Sequence, residues 1–451
     1  MGAASPAATA PAGAPRLKRT LTLWDLILYG VVVIQPTAPM SVFGVLSERG
    51  RGHVVTMILI AMVGMLFTAV SYGRMARAYP SAGSAFTYVG QEINAGFGYV
   101  TGWSMVMDYM LNPMICIIWC SQQAHVFAPA IPYWGWAVFF ALLFTWLNVH
   151  GVKTSARVSA GLAAVMGVVI ALFFVAAARY VLGLPQDAGF FTRPFYDPRL
   201  FELRAVLGGT SIAVLTYIGF DGISTLSEEA ENPRRNILLA TVFTCLVIGI
   251  LSALEVYAAQ LVWPASEPFP NVETAFVHVA GRAWGPLFAV VGLTLLIANF
   301  GSGMGAQLGA ARLLYGMGRS NALPRSFFGR VDPKRHIPRN NVLFVGAVAL
   351  LGAFIINFGL GAELLNFGAL IAFMGVNAAA FIRYYLKADV KRLSNLVPPV
   401  AGGLICLLLW LNLSPKAKIA GALWMAVGIA FGAWKTRGFR GELVDFELPP
   451  E

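Results

Sequence analysis

An acid between glycines, set at the end of a long apolar run, is the first place where this chain could bind a ligand. Gly219-Phe220-Asp221-Gly222 continues the apolar stretch 205–218, which closes on Tyr217 and Ile218. Glycine weakens a helix by about 1 kcal/mol relative to alanine. A carboxylate at membrane depth costs at least about 2.5 kcal/mol. Both together predict an opened helix, because unpaired backbone at that depth is tolerated only inside protein or beside a water-filled cavity. A purely structural alternative is a helix-packing glycine pair with Asp221 bonded to a neighbouring helix. Asp108 and Tyr109 form a second pair inside an apolar run. There a cationic amine can pair with the acid and lie on the phenol face, a contact of about 0.5–2 kcal/mol. Neighbouring helical residues point about 100° apart, so one of the two can face the pocket and the other an adjacent helix. A third feature is Gln35-Pro36-Thr37-Ala38-Pro39, with two prolines in the middle of an apolar run. Each interior proline costs about 3 kcal/mol or more through a lost donor and a clash; a kink that only shapes packing is the alternative.

Other polar groups within apolar runs are Glu255, Asn299 and Asn366. Glu255 can relay protons or partner a polar group on an adjacent helix. Glu228, Glu229 and Glu231 with Arg234 and Arg235 can latch a gate or simply form a solvated helix end. The isolated amides Asn299 and Asn366 are weaker binding candidates, since such groups usually bond to backbone.

The elements that position these residues are membrane helices. The 451 residues are 58% hydrophobic and 12% charged, against roughly 25% charged in soluble domains. The net charge of +11 would suggest nucleic acid in a soluble chain. Here the basic residues lie between apolar runs, where they set membrane orientation, so no nucleic-acid partner is expected. Spans need about 20 residues each. Twelve apolar runs fit, near 22–47, 54–78, 97–124, 132–149, 156–182, 205–228, 238–263, 284–312, 341–358, 361–383, 396–413 and 417–434. The amphipathic stretch 81–94 is expected at the cytoplasmic surface. Residues 1–20 read as a disordered tail, 21–385 as a ten-helix core, and 386–451 as two peripheral helices with a cytoplasmic tail. Lysine and arginine concentrate at 16–19, 74–77, 153–157, 319–339, 383–392 and 435–440, while the loop 121–131 has none. The positive-inside bias places both termini in the cytoplasm. The four cysteines all fall in apolar runs and read as packing thiols.

Interrupted segments at corresponding positions of two halves are a sequence pointer to a transport site. Spans one and six correspond if the core is two halves of five helices, and an odd number inverts the second half.

The stretch GFDGISTLSEEAENPRRNI resembles the sixth-helix signature of the amino acid–polyamine–organocation superfamily. Three others agree with it: SYGRMARAYPSAGSAFTYV (71–89), ARLLYGMGRSNALP (311–324) and LLNFGALIAF (364–373). LTLWDLILYG, SYG, GWSMVMDYMLNPM and LSEEAENPRR look closest to its putrescine importer branch. The resemblance implies an all-α LeuT-type fold, alternating access around spans one and six, and a small-molecule substrate held by their opened segments. It favours Tyr109 slightly over Asp108. In the superfamily a GSG-type stretch in helix one commonly offers amides to an α-carboxylate. This chain has prolines there, leaving the amides of Thr37, Ala38 and Met40 as a helix N-terminal anion site. That departure raises the expectation of an amine without a carboxylate.

No cofactor is expected beyond coupling to a proton gradient. Some superfamily members couple through a fifth-helix lysine; Met166 falls near that place, so an acid such as Asp108, Asp221 or Glu255 must carry protons if they drive transport. A channel lacks its repeated pore motif here, an enzyme its metal set or nucleophile–base pair, and an ATP-driven pump its phosphate loop. The sequence thus reads as a permease of the cell membrane for an organic amine, polyamine or cationic amino acid. Carriage or exchange of other α-amino acids is the alternative.

Overall fold

The computed structural model describes residues 21–79, 84–150, 156–227, 230–319, 322–335 and 337–436, without the side chains of 156–159 and 225. Among them the regular elements are all helical. In the first half these are α1 (Leu23–Ile34), α2 (Ala38–Arg49), α3 (Val54–Ala78), α4 (Ser84–Glu92), α5 (Ala95–Phe127), α6 (Tyr133–Val149) and α7 (Ala156–Leu182). Then come α8 (Leu203–Ala213), α9 (Pro233–Val262), α10 (Ala275–Ala283), α11 (Leu287–Arg319), α12 (Arg325–Phe328), α13 (Arg339–Ile355) and α14 (Phe358–Phe381). The last two are α15 (Leu393–Leu411) and α16 (Pro415–Lys435). Two 3-10 segments, Val214–Tyr217 and Phe220–Leu226, extend α8.

Among the described residues, nine segments are long and apolar enough to cross a membrane, and the bent pair α1–α2 makes a tenth. α6 and α13 are apolar but only 17 residues each, about 25 Å at 1.5 Å per residue. All twelve apolar runs expected from the sequence therefore contain helix, ten of them at full spanning length.

Element lengths repeat in order, which is how the two halves show themselves. After each broken span comes a long helix (α3, α9), then a nine-residue helix (α4, α10) and a 33-residue helix (α5, α11). A 17-residue helix (α6, α13) and a final span (α7, α14) complete each half. This is the five-plus-five architecture with discontinuous first and sixth spans.

Both breaks have local causes. α1 starts in a capping box between Thr22 and Asp25. It stops at Gln35, whose φ of 69° no helix tolerates, and Pro36 disfavours helical geometry in the residue before it. α2 restarts with Pro39 in its first turn, where proline needs no donor, and the two helices meet at 45°. In span six, regular helix ends at Ala213, tightens through Val214–Tyr217, extends at Ile218 and turns at Gly219 with φ 121°. The opening is thus longer than the four residues 219–222 expected. A Cβ on Gly219 would lie 3.1 Å from Val33 and 3.2 Å from Ile34, so the two breaks face each other.

Within the stretch 81–94, α4 buries Ser84, Ala85, Thr87, Tyr88, Val89 and Glu92 against the bundle. The last helix is clasped to α5, because the Trp103 and Trp424 indoles each donate to the other's carbonyl (2.9 and 3.1 Å) and stack at 4.8 Å. The outer face of α9 carries Phe243, Val247, Ile250 and Leu254, all exposed, at three- and four-residue spacing. Such a stripe faces lipid.

Candidate functional site

The opened sixth span supplies the centre of the site. Asp221 lies in the first turn of its second 3-10 segment, and its carboxylate accepts from the Gly219 amide at 3.3 Å. The acid therefore caps the turn that glycine makes possible. Ser224 returns its hydroxyl to the Asp221 carbonyl at 2.6 Å, satisfying backbone that regular helix would have bonded.

Asp108 comes to the same place from α5. Gly368 permits this approach of helices: a Cβ there would sit 2.4 Å from the Ser104 carbonyl and 3.3 Å from the Asp108 amide. Asp108 and Asp221 are each only 6% exposed and interact electrostatically with each other and with Tyr72 and Tyr109. Neither acid has a cationic side chain in an ion pair among the described residues. Two buried carboxylates that interact are mutually unfavourable, and a bound cation offsets that.

Aromatic rings form the walls. Tyr72 of α3 meets Phe220 edge-on at 5.5 Å, Phe373 of α14 at 5.8 Å and Tyr88 of α4 at 6.2 Å. Phe220 and Phe373 lie 5.3 Å apart. The Tyr72 hydroxyl is buried and has no hydrogen-bond partner among the described residues. Tyr109 lies against Gly309 of α11 at 3.5 Å from a Cβ there, and Gly301 and Gly305 of the same helix face open space. Ser84 reaches Ser224 at 2.9 Å, tying α4 to the opened span.

Other candidates make hydrogen bonds within the bundle. Of the amides of Thr37, Ala38 and Met40 expected to meet an anion, those of Ala38 and Met40 already bond the Gln35 and Thr37 carbonyls at 3.1 Å each. The Thr37 hydroxyl meets the Met166 sulfur at 3.8 Å, and Gln35 donates to the Ala298 carbonyl at 2.8 Å. Asn299 bonds Ser41 (3.0 Å) and the Leu295 carbonyl (2.9 Å), fastening α11 to α2. Asn366 donates to the carbonyls of Ser211 and Ile212 at 2.7 and 3.1 Å, where α8 gives way to 3-10 helix. Tyr217 is fully buried with its hydroxyl on the Ile58 carbonyl at 2.8 Å. Glu255 is fully buried, and both its oxygens lack a partner among the described residues. The expected adjacent-helix partner is therefore not found there. Glu228 and Glu229 lie outside the described residues. Among the described residues no cluster of three or more metal-type ligands occurs.

Tyr72, Tyr88, Ser84 and Phe373 were missed from the sequence. Their one signal was membership of the stretches 71–89 and 364–373 that carry the family resemblance.

A helical bundle with two facing broken first and sixth spans is the architecture of a membrane permease. The amino acid permease family profile matches residues 38–413, and the chain belongs to that family. It is 34% identical over 444 residues to the low-affinity putrescine importer PlaP of Escherichia coli (strain K12), covering 96% of each chain. It is 26% identical to the vacuolar cationic amino acid transporter 4 of Arabidopsis thaliana, over 85% of this chain and 66% of that one. The branched-chain amino acid permease BcaP of Bacillus subtilis (strain 168) is 25% identical over 93% of each. These relatives are transporters, and this chain is a multi-pass membrane transporter of small molecules, not an enzyme.

Proposed function

We propose that this permease carries a small organic cation, a polyamine or a cationic amino acid, across the cell membrane by alternating access. The observation that carries the reading is the pair Asp108–Asp221, two buried acids without a cationic side-chain partner among the described residues, walled by Tyr72, Tyr109 and Phe220. An ammonium near either acid gains several kcal/mol at an effective dielectric near 20, partly cancelled by desolvation. A diamine matches two acids with two charges. The likeness to a protein named a putrescine importer supports the same class. The engagement of the Ala38 and Met40 amides leaves helix one a poor cradle for an α-carboxylate. Proton coupling belongs to the proposal, with Glu255 and the Asp108–Asp221 pair as the acids that would carry protons. Both termini are taken as cytoplasmic.

Carriage of neutral α-amino acids is the competing reading, and the likeness to a branched-chain permease favours it. Uptake of radiolabelled putrescine and leucine into proteoliposomes separates the two. Asp221→Asn should raise the apparent KM for putrescine about 10- to 100-fold and leave leucine uptake nearly unchanged. Equal uptake of both by the wild type, insensitive to this substitution, would leave Asp221 a packing residue and the amine reading wrong.

A further inference from the structure

Away from the transport site, a cavity of about 420 Å³ opens between the end of α3 and the start of α9, lined by Arg77, Arg234, Arg235, Leu238 and Leu239. All three arginines are exposed, and none has an ion pair among the described residues. Arg234 and Arg235 sit in the first turn of α9, behind Asn232 and Pro233. A helix N-terminus already carries about half a positive charge, so two arginines there and a third on the facing helix repel one another. Glu231, just before this turn, forms no ion pair with them among the described residues; its amide bonds the Leu21 carbonyl at 2.8 Å instead. Among the described residues these arginines have no anionic partner.

The apolar part of the cavity says which kind. Leu238 and Leu239 form its floor, and Leu238 packs into the notch at Gly73 of α3, where a Cβ would lie 2.5 Å from the Leu238 Cα. From Leu239 an exposed apolar row continues down α9 through Phe243, Val247, Ile250 and Leu254. Spacings of three and four keep these residues on one helix face, the face that carries Arg235 four residues before Leu239. Charge at the helix end and a long apolar stripe running from it match a phosphate headgroup joined to an acyl chain. A free phosphate or nucleotide would use the arginines and leave the stripe unused.

We propose that this cavity is a binding site for an anionic phospholipid of the surrounding membrane. The headgroup phosphate lies among Arg77, Arg234 and Arg235, and one acyl chain follows α9. Basic pockets between membrane helices recognise anionic headgroups through this chemistry. The site is independent of what the transporter carries.

The test is lipid retention by the purified full-length protein in nanodiscs of phosphatidylcholine with a minor fraction of phosphatidylglycerol, read by native mass spectrometry after detergent release. Wild type should retain phosphatidylglycerol in preference to phosphatidylcholine. Arg234→Gln should lower that preference about fivefold and the Arg77→Gln/Arg234→Gln/Arg235→Gln variant correspondingly further. Leu239→Glu, which leaves the arginines in place, should also lower retention. Thermal unfolding followed in parallel confirms that each variant is folded, and the single exposed substitution serves if the triple variant is not. Inorganic phosphate at millimolar concentration should not displace the lipid. Undiminished preference in a folded Arg234→Gln variant overturns the proposal. So does displacement by inorganic phosphate together with indifference to Leu239→Glu, which would make the cavity a site for a soluble anion.

Discussion

At the scale of the residue, the Tyr72 hydroxyl carries the most information about the site. It is buried, it lacks a partner among the described residues, and its ring touches Phe220 and Phe373. A buried hydroxyl without a partner costs about 1–3 kcal/mol, so Tyr72→Phe should leave thermal stability unchanged or raise it. If the hydroxyl bonds substrate, the same change should raise the apparent KM for putrescine by about 2- to 10-fold, the worth of one hydrogen bond. Proteoliposome uptake and a detergent melting curve, measured together, separate these effects. A variant of unchanged stability and unchanged KM would remove Tyr72 from the binding site. Asn299 and Asn366 show the opposite case: their NH2 groups donate across the bundle, holding α11 on α2 and the end of α8. An intramembrane polar residue is a binding candidate only after its hydrogen bonds have been traced.

At the scale of the element, the sixth span depends on one backbone angle and the short fourth helix on one buried acid. Gly219 has φ 121°, where a side chain is strained, and a Cβ there would crowd Val33 and Ile34 at 3.1 and 3.2 Å. Gly219→Ala should destabilise the protein by about 1–3 kcal/mol and abolish uptake, with the melting midpoint and transport assayed on the same preparation. Normal uptake by that variant would mean the turn is not needed. Glu92 ends α4 and is gripped by Arg383 (2.5 Å), Lys387 (2.8 Å) and the Tyr79 hydroxyl (2.7 Å). Burial raises its pKa, but the bonds from Lys387, Tyr79 and Arg383 outweigh that and hold it below the ordinary 4.5. A lowered carboxyl pKa contributes stability above the unfolded value and loses it as pH falls through the folded one. Glu92→Gln should therefore cost about 1–3 kcal/mol at neutral pH, the cations being partly in water. The gap to wild type should narrow as pH falls below the ordinary 4.5 and through the lowered folded value; melting midpoints across pH read it directly, and a gap that persists in strong acid would refute the pairing.

At the scale of the whole molecule, the repeat of lengths places two copies of one five-span unit around the breaks. Orientation is the property still to be measured. All four cysteines, Cys116, Cys120, Cys245 and Cys406, are buried, so single added cysteines can be read against a low background. With both termini cytoplasmic, a cysteine replacing Ala130, in the turn after α5, should label with an impermeant maleimide applied outside intact cells. One near Pro15 should label only after permeabilisation. The reverse pattern would invert the topology.

The breaks were legible in the sequence because proline and glycine act on their own backbone. Pro36 follows the last turn of α1 and Pro39 sits in the first turn of α2, and Gly219 takes a positive φ that side chains disfavour. The membrane class was legible for a similar reason, since spanning length and apolar composition are local. The meeting of Asp108 with Asp221 was not local. Asp108 is set by α5 packing closely on α14 at Gly368, while Asp221 stands in the opened sixth span, so their relation is a packing property of distant segments. Tyr72 and Tyr88 were hidden because a buried phenol that waits for a ligand and one that fills a core have the same period along a helix. The Ala38 and Met40 amides looked free because proline marks a helix start without saying which turn closes before it. Tertiary structure decided which polar groups are engaged, since hydrogen bonds between spans are set by how the helices pack. The acids and aromatics it left open, around the break in span six, are the ones assigned to the substrate.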